Sequence, residues 1–245
     1  MTLRAAVRSF FTLIAGVVGT IFCSLAALIV SAMRPGSPLL EQVIRTWGMV
    51  WIRAAGVRVV VEGAEKVDPT RSYVVVGNHL SAYDIMVHLS ALPVPVRFLA
   101  KAELFRIPLF AQAMRAVGMI EVDRTAGASI HKQVSRDARS AIAMGRSIIV
   151  YPEGTRARGG ELAPFKKGAF TIAVDNGLDV LPVTIHGTLE VWQPGRRFIN
   201  PGVVHLVISA PIEVNPGDPR EAERLRDTSR AEIAANYERL RALVA

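Results

Sequence analysis

Tyr73-Val74-Val75-Val76-Gly77-Asn78-His79-Leu80-Ser81-Ala82-Tyr83-Asp84-Ile85-Met86-Val87-His88-Leu89 changes period in its middle. The apolar run Tyr73–Val76 reads as a buried strand, and Ile85–Leu89 reads as the body of a helix. A histidine therefore stands at a strand-to-helix turn, with a carboxylate five residues on. That is where a general base and its orienting partner belong if the chain activates a hydroxyl. Two structural readings compete. Ser81 and Asp84 fit a capping box, with Ser81 as N-cap. Asp84 and His88, four apart, fit a pair on one helix face.

Outward from this turn, short apolar runs alternate with helical patterns. Strands are expected at Val57–Glu62, Tyr73–Val76, Val96–Ala100, Met119–Val122, Ser147–Tyr151, Val180–Ile185 and Val203–Ser209. Helices are expected at Tyr83–Ala91, Glu103–Val117, Ala128–Met144 and Ala169–Asn176, with a charged amphipathic helix over Arg220–Val244. This alternation predicts an α/β fold: a single domain whose largely parallel central sheet of about seven strands is flanked by helices. No internal repeat or linker divides it.

Upstream, no charge occurs between Arg8 and Arg34, a run of about 25 residues, enough to cross the apolar core of a bilayer as one helix. A signal peptide is the rival reading, but Ser31-Ala32-Met33-Arg34 is a poor cleavage site. Gly16 and Gly19 leave open a hairpin that dips into one leaflet. Val43, Ile44, Trp47, Val50, Trp51 and Ala54 then recur at helical spacing, which suits either an interfacial helix or one packed on the domain. The chain is thus expected to divide at residue 56, with an apolar membrane-associated helical segment over 1–56 and the α/β domain over 57–245.

Composition agrees with a lipid surface. The 245 residues are 51% hydrophobic with a net charge of +8, and mean hydropathy is +0.31. A basic, apolar chain suits an anionic bilayer or nucleic acid. Aromatics are few and no nucleic-acid module is visible, so a bilayer is expected as partner and nucleic acid is not. The single cysteine, Cys23, excludes an intrachain disulfide.

The polar residues that punctuate the pattern follow strands, and ligands of open α/β sheets bind beyond the carboxyl ends of the strands. Asn78 and His79 follow one strand, Lys101 another and Arg124 a third. Tyr151-Pro152-Glu153-Gly154-Thr155-Arg156 follows a fourth. Pro152 stops strand pairing, Gly154 permits close approach of a ligand, and Thr155 with Arg156 can hold an anion. Lys101 and Arg124 are further candidate cations for a phosphate. No metal is expected, because His79-x4-Asp84 lacks further ligands at metal-like spacing.

These blocks resemble the glycerolipid acyltransferase family, in particular its 1-acyl-sn-glycerol-3-phosphate (lysophosphatidate) acyltransferase branch. The resemblance rests on Asn78, His79 and Asp84; on Lys101, Glu103 and Leu104; on Gly118, Asp123 and Arg124; on Tyr151 to Arg156; and on Leu181-Pro182-Val183, in that order over roughly residues 57–212. Glu121 departs from it, since that position is usually apolar or aromatic. The resemblance implies transfer of a fatty acyl group from acyl-CoA or acyl carrier protein to the sn-2 hydroxyl of lysophosphatidate, giving phosphatidate. The thioester is a co-substrate, and no cofactor is implied. His79 and Asp84 would be catalytic. Lys101, Arg124 and Arg156 would bind the acceptor phosphate, and Glu153, Gly154 and Thr155 would shape its pocket. The catalytic domain is expected on the cytoplasmic face, where the thioester donors are. The alternatives are another acceptor (glycerol 3-phosphate, a lysophospholipid or a lyso-aminolipid), a thioesterase, or a non-catalytic lipid-binding protein.

Overall fold

Strands buried on both faces need apolar residues at every position, and that continuity makes the short runs of this chain pair side by side. In the computed structural model, which describes residues 3–122, 129–157 and 160–244, they form β1 (Val57–Glu62), β2 (Val74–Gly77), β3 (Val96–Lys101), β4 (Ile120–Val122), β5 (Ser147–Val150), β6 (Val180–His186) and β7 (Gly202–Ile208). These make one seven-stranded sheet in the order β1-β7-β6-β2-β5-β3-β4. Each neighbouring pair is parallel except β6 with β7. The α/β fold with a largely parallel seven-stranded sheet is therefore the fold found, with strand ends shifted by a residue or so.

The sheet divides the core in two. Val75 packs with Ile44, Tyr83 and Val87 on one face, and Val74 and Val76 pack with Phe170 and Leu225 on the other. The first face carries α2 (Leu39–Ala54), α3 (Tyr83–Ala91) and α4 (Phe110–Ala116). The second carries α5 (Ser129–Ala143), α6 (Gly168–Asn176) and α8 (Glu221–Val244). A short helix not expected from the sequence, α7 (Thr188–Val191), follows β6.

The helix expected over Glu103–Val117 is broken. A 3-10 turn covers Ala102–Arg106, and α4 begins only at Phe110. Pro108 forces Ile107 into extended backbone (ψ 116°), and Leu109 then takes φ 64°. The apolar period continues across this point, so periodicity alone passes over the break.

α1 (Leu3–Met33) is a single uninterrupted helix of 31 residues, about 46 Å long. It is long and apolar enough to cross a membrane. It is also docked. Ser9, Thr12, Gly16, Ser24 and Ala27 form a buried seam of small residues, while Phe10, Phe11, Val17, Phe22 and Ile29 point outward. Ser9 accepts from the Ile199 amide at 3.0 Å, Thr12 donates to Ala54 O at 2.8 Å, and the Trp47 indole donates to Thr20 at 2.9 Å. A Cβ on Gly16 would lie 2.4 Å from the Trp51 ring, so only glycine admits this approach. Trp51 is thus packed against α1.

Two charged groups fix α2, one to α3 and one to the sheet. Arg45 donates to Leu92 O (2.7 Å) and Ser90 O (3.2 Å), the carbonyls at the carboxyl end of α3. Arg97 of β3 is completely buried. Its guanidinium pairs with Glu41 and donates to the carbonyls of Val96 and Val117.

Candidate active site

Asn78 extends the sheet beyond its last strand residue. Its amide donates to Ile185 O and accepts from Ile185 N–H, both at 2.8 Å. A side chain thus does the work of a peptide group in the β2–β6 ladder, and the main chain is free to turn at His79. The His79 amide donates to Glu153 Oε1 (2.8 Å), and His79 O accepts from Ala157 N–H (2.8 Å). Both backbone groups of the turn are held by the loop after β5.

Asp84 closes the turn from the other side. It is completely buried, and its Oδ2 accepts from His79 Nδ1 (2.7 Å), Leu80 N–H (2.7 Å) and Ser81 N–H (2.9 Å). Its Oδ1 accepts from the Thr188 hydroxyl on α7. This network places the Nδ1 proton toward Asp84 and leaves Nε2 of His79 as the atom available to a substrate. The capping reading is met in its hydrogen bonds, one residue before the helix bound. Asp84 accepts from Ser81 N–H, and the Ser81 hydroxyl accepts from Tyr83 N–H at 3.3 Å while donating to Trp192 O at 2.7 Å, although the helix bounds put the N-cap at Ala82. The His88 ring makes no side-chain hydrogen bond to the Asp84 carboxylate and meets the Tyr151 hydroxyl at 3.0 Å.

The Tyr151 ring lies flat on His79, with centroids 4.0 Å apart and planes 4° apart. Burial pushes the Tyr151 phenol well above its usual range, with the Asp84 charge adding to the shift. Burial lowers His88 to about 4. Both groups are therefore neutral at ordinary pH.

Glu153 is turned inward and only 4% exposed. Its second oxygen accepts from Ala163 N–H at 2.9 Å. Burial raises its pKa, and the two amide donors oppose the shift. Gly154 takes φ +78°, and a Cβ there would lie 2.8 Å from Lys166 Nζ. Thr155 and Arg156 are exposed beyond it, as is Lys101 at the end of β3. Because β2, β5 and β3 are adjacent and parallel, His79, the 151–156 loop and Lys101 share one edge of the sheet. Neighbouring strands are about 4.8 Å apart, so that edge is of the order of one phospholipid headgroup across. Arg124 and Asp123 lie outside the described residues. Glu121 on β4 pairs with Arg115 of α4 at 3.2 Å.

Three features of the site were not anticipated from the sequence. Thr188 sits 104 residues from Asp84 and carried no local signal. The His88–Tyr151 contact joins two segments that were each read separately. The inward turn of Glu153 follows from the amides it meets, not from its own neighbours in sequence.

A buried carboxylate orienting a histidine at the carboxyl edge of a parallel sheet, with cations alongside, is an arrangement that can activate a hydroxyl beside an anionic group. A family model for acyltransferases matches residues 58–186, more than half of the chain. The chain belongs to that acyltransferase family. It is similar to "1-acyl-sn-glycerol-3-phosphate acyltransferase" of Borreliella burgdorferi, 30% identical over 194 residues that cover 78% of this chain and 76% of the relative. It is also similar to "1-acyl-sn-glycerol-3-phosphate acyltransferase alpha" of Mus musculus, 29% identical over 86% of this chain and 74% of that one. Among solved structures, the 1-acyl-sn-glycerophosphate acyltransferase PlsC of Thermotoga maritima superposes with a TM-score of 0.84 at 29% identity, covering 98% of this chain and 97% of that one. Family, relatives and fold together support acyl transfer on glycerophosphate-type lipids and association with a membrane.

Proposed function

We propose that the chain moves a fatty acyl group from acyl-CoA or acyl carrier protein to the sn-2 hydroxyl of lysophosphatidate, giving phosphatidate. The observation that carries this reading is the His79–Asp84 pair, with Nε2 left open on the edge that also holds Lys101, Thr155 and Arg156. His79 takes the acceptor's hydroxyl proton on Nε2 as the oxygen attacks the thioester carbonyl. Asp84 stabilises the imidazolium so formed. The C–O bond forms, the C–S bond breaks, and the leaving thiolate takes the proton from His79. The acceptor is itself the nucleophile, so no acyl-enzyme intermediate is needed.

Lys101, Arg156 and Arg124 neutralise the acceptor phosphate, and Gly154 and Thr155 shape its pocket. Glu153 acts by holding the amides of His79 and Ala163. Acyl chains suit the apolar cavity beside the site, which is lined by Cys23, Ala27, Trp47, Ile85, Phe98 and Met119. Its walls come from both α1 and the sheet, which supports residues 1–56 as a membrane unit that completes the 57–245 catalytic unit. The outward apolar side of α1 rests in one leaflet, with the catalytic unit on the cytoplasmic face.

The test is acyl transfer in liposomes from labelled acyl-CoA or acyl carrier protein to a panel of lyso-acceptors. Phosphatidate formation by the wild type, lost in His79→Ala, is the expected result. Acylation of a different acceptor alone would overturn the lysophosphatidate assignment, and fatty acid release without acceptor would indicate hydrolysis. Equal activity in His79→Ala would overturn the mechanism.

A further inference from the structure

His79 is gripped by Asp84 through a single ring nitrogen, and one hydrogen bond leaves an imidazole free to tilt about that bond, since χ2 of histidine is soft. A second restraint comes from its face. The Tyr151 ring is parallel to it at 4.0 Å. Tyr151 is in turn pinned: its hydroxyl meets His88 Nδ1 at 3.0 Å, and the Phe98 ring abuts it at 5.8 Å. His88 is completely buried on α3, one turn beyond Asp84. Its Nε2 has no partner among the described residues, so its Nδ1 side, where the Tyr151 hydroxyl and the Asp84 backbone lie, carries the hydrogen bonding of this buried polar ring.

We propose that Tyr151, fixed in angle by His88, is a positioning residue that holds the plane of His79 and presents a π face to the imidazolium formed when the acceptor is deprotonated. A cation over an aromatic face is attracted to it, most strongly where water is excluded. Neutrality of the support matters for the same reason. A charged group at position 88 would repel the imidazolium, and burial keeps His88 uncharged down to about pH 4. The phenol hydroxyl thus has a use that a phenylalanine in the same block would lack.

The proposal rests on His79 acting as base in acyl transfer, and the experiment separates the two. kcat and KM are measured for the wild type, Tyr151→Leu, Tyr151→Phe and His88→Leu, and Tyr151→Leu is repeated in the His79→Ala background. Tyr151→Leu is expected to lower kcat by about 3- to 30-fold, the loss of one cation–π contact, with KM for both substrates within about twofold. Tyr151→Phe and His88→Leu each break the same hydrogen bond, so their combined loss should equal the larger single loss. In His79→Ala, Tyr151→Leu should cost nothing more. An equal cost in both backgrounds, or a raised KM with unchanged kcat, overturns the proposal. If His79→Ala is itself fully active, the base assignment fails and the proposal falls with it. If His79→Ala is inactive while Tyr151→Leu keeps full kcat, the proposal alone fails.

A readout that needs no turnover is carbethoxylation of His79, followed by peptide mass. Tyr151→Leu and His88→Leu should modify several-fold faster than the wild type, and unchanged rates would overturn the proposal. His88→Leu keeps the ring but releases it, so it serves if Tyr151→Leu does not fold.

Discussion

Asp84 is completely buried and accepts from four donors, whereas Lys101, Thr155 and Arg156 stand on the same edge of the sheet in solvent. No side-chain partner is found for any of these three among the described residues. The proposed base and its carboxylate are fixed in place with only Nε2 of His79 left open, and the groups suited to an anion are left open. The difference follows from cost. A base that must not reorganise during the reaction gains from fixed dipoles. Cations that must exchange a phosphate on every turnover would lose affinity if they were already paired.

The sharpest way to break this contrast is to remove the base from the enclosed side. His79→Ala should lower kcat by roughly 10²–10⁴ with little change in melting temperature, as judged by steady-state rates beside thermal unfolding. Equal loss of stability and activity would mean the turn is a structural cap.

Next is acid. His88 is lowered to about 4 from an ordinary 6.5, so the unfolded chain binds the proton more readily than the folded one. Its contribution is complete above pH 6.5 and is lost as pH falls toward 4, with a size of about 3 kcal/mol. Denaturant melts across this window should steepen in the wild type and flatten in His88→Leu. A slope that is the same in both would show that His88 is not the group responsible.

Thr188→Val probes the far side of Asp84. It leaves Oδ1 buried without its donor, at a cost of roughly 1–3 kcal/mol in stability, with a fall in kcat as the carboxylate shifts. A neutral Thr188→Val would mean that the other three donors suffice.

The open side should respond least and differently. Lys101→Gln and Arg156→Gln should each raise KM for the phosphorylated acceptor by about tenfold or less, as expected for an exposed charge. They should leave kcat and melting temperature nearly unchanged and weaken the salt dependence of KM. A fall in kcat with KM unchanged would move these residues from the open to the enclosed class.

The sheet was legible because each strand is apolar on both faces, as Val74-Val75-Val76 shows, and such runs have few alternatives to pairing. The pairing of His79 with Asp84 was legible because it is local, set by one strand-to-helix turn. What escaped was set by distance or by steric exceptions. Thr188 reaches Asp84 only after β6 has been laid beside β2, and Tyr151 meets His88 only after β5 has joined them. Pro108 broke a helix whose apolar rhythm ran through it. The Trp47 and Trp51 indole N–H groups both reach Thr20 on α1, a contact between two helices that neither helix shows alone.

The seam on α1 carries a consequence for biosynthesis. Ser9 bonds to Ile199 across 190 residues of chain, and Thr12 to Ala54 across 42. α1 is synthesised long before Ile199, so one flank of its docking surface does not exist until β6 and the loop before β7 have been made. During that interval the most water-averse segment of the protein has no complete intramolecular partner. Contacts that span so much of the chain close late in folding, so this seam is among the last surfaces the protein can cover.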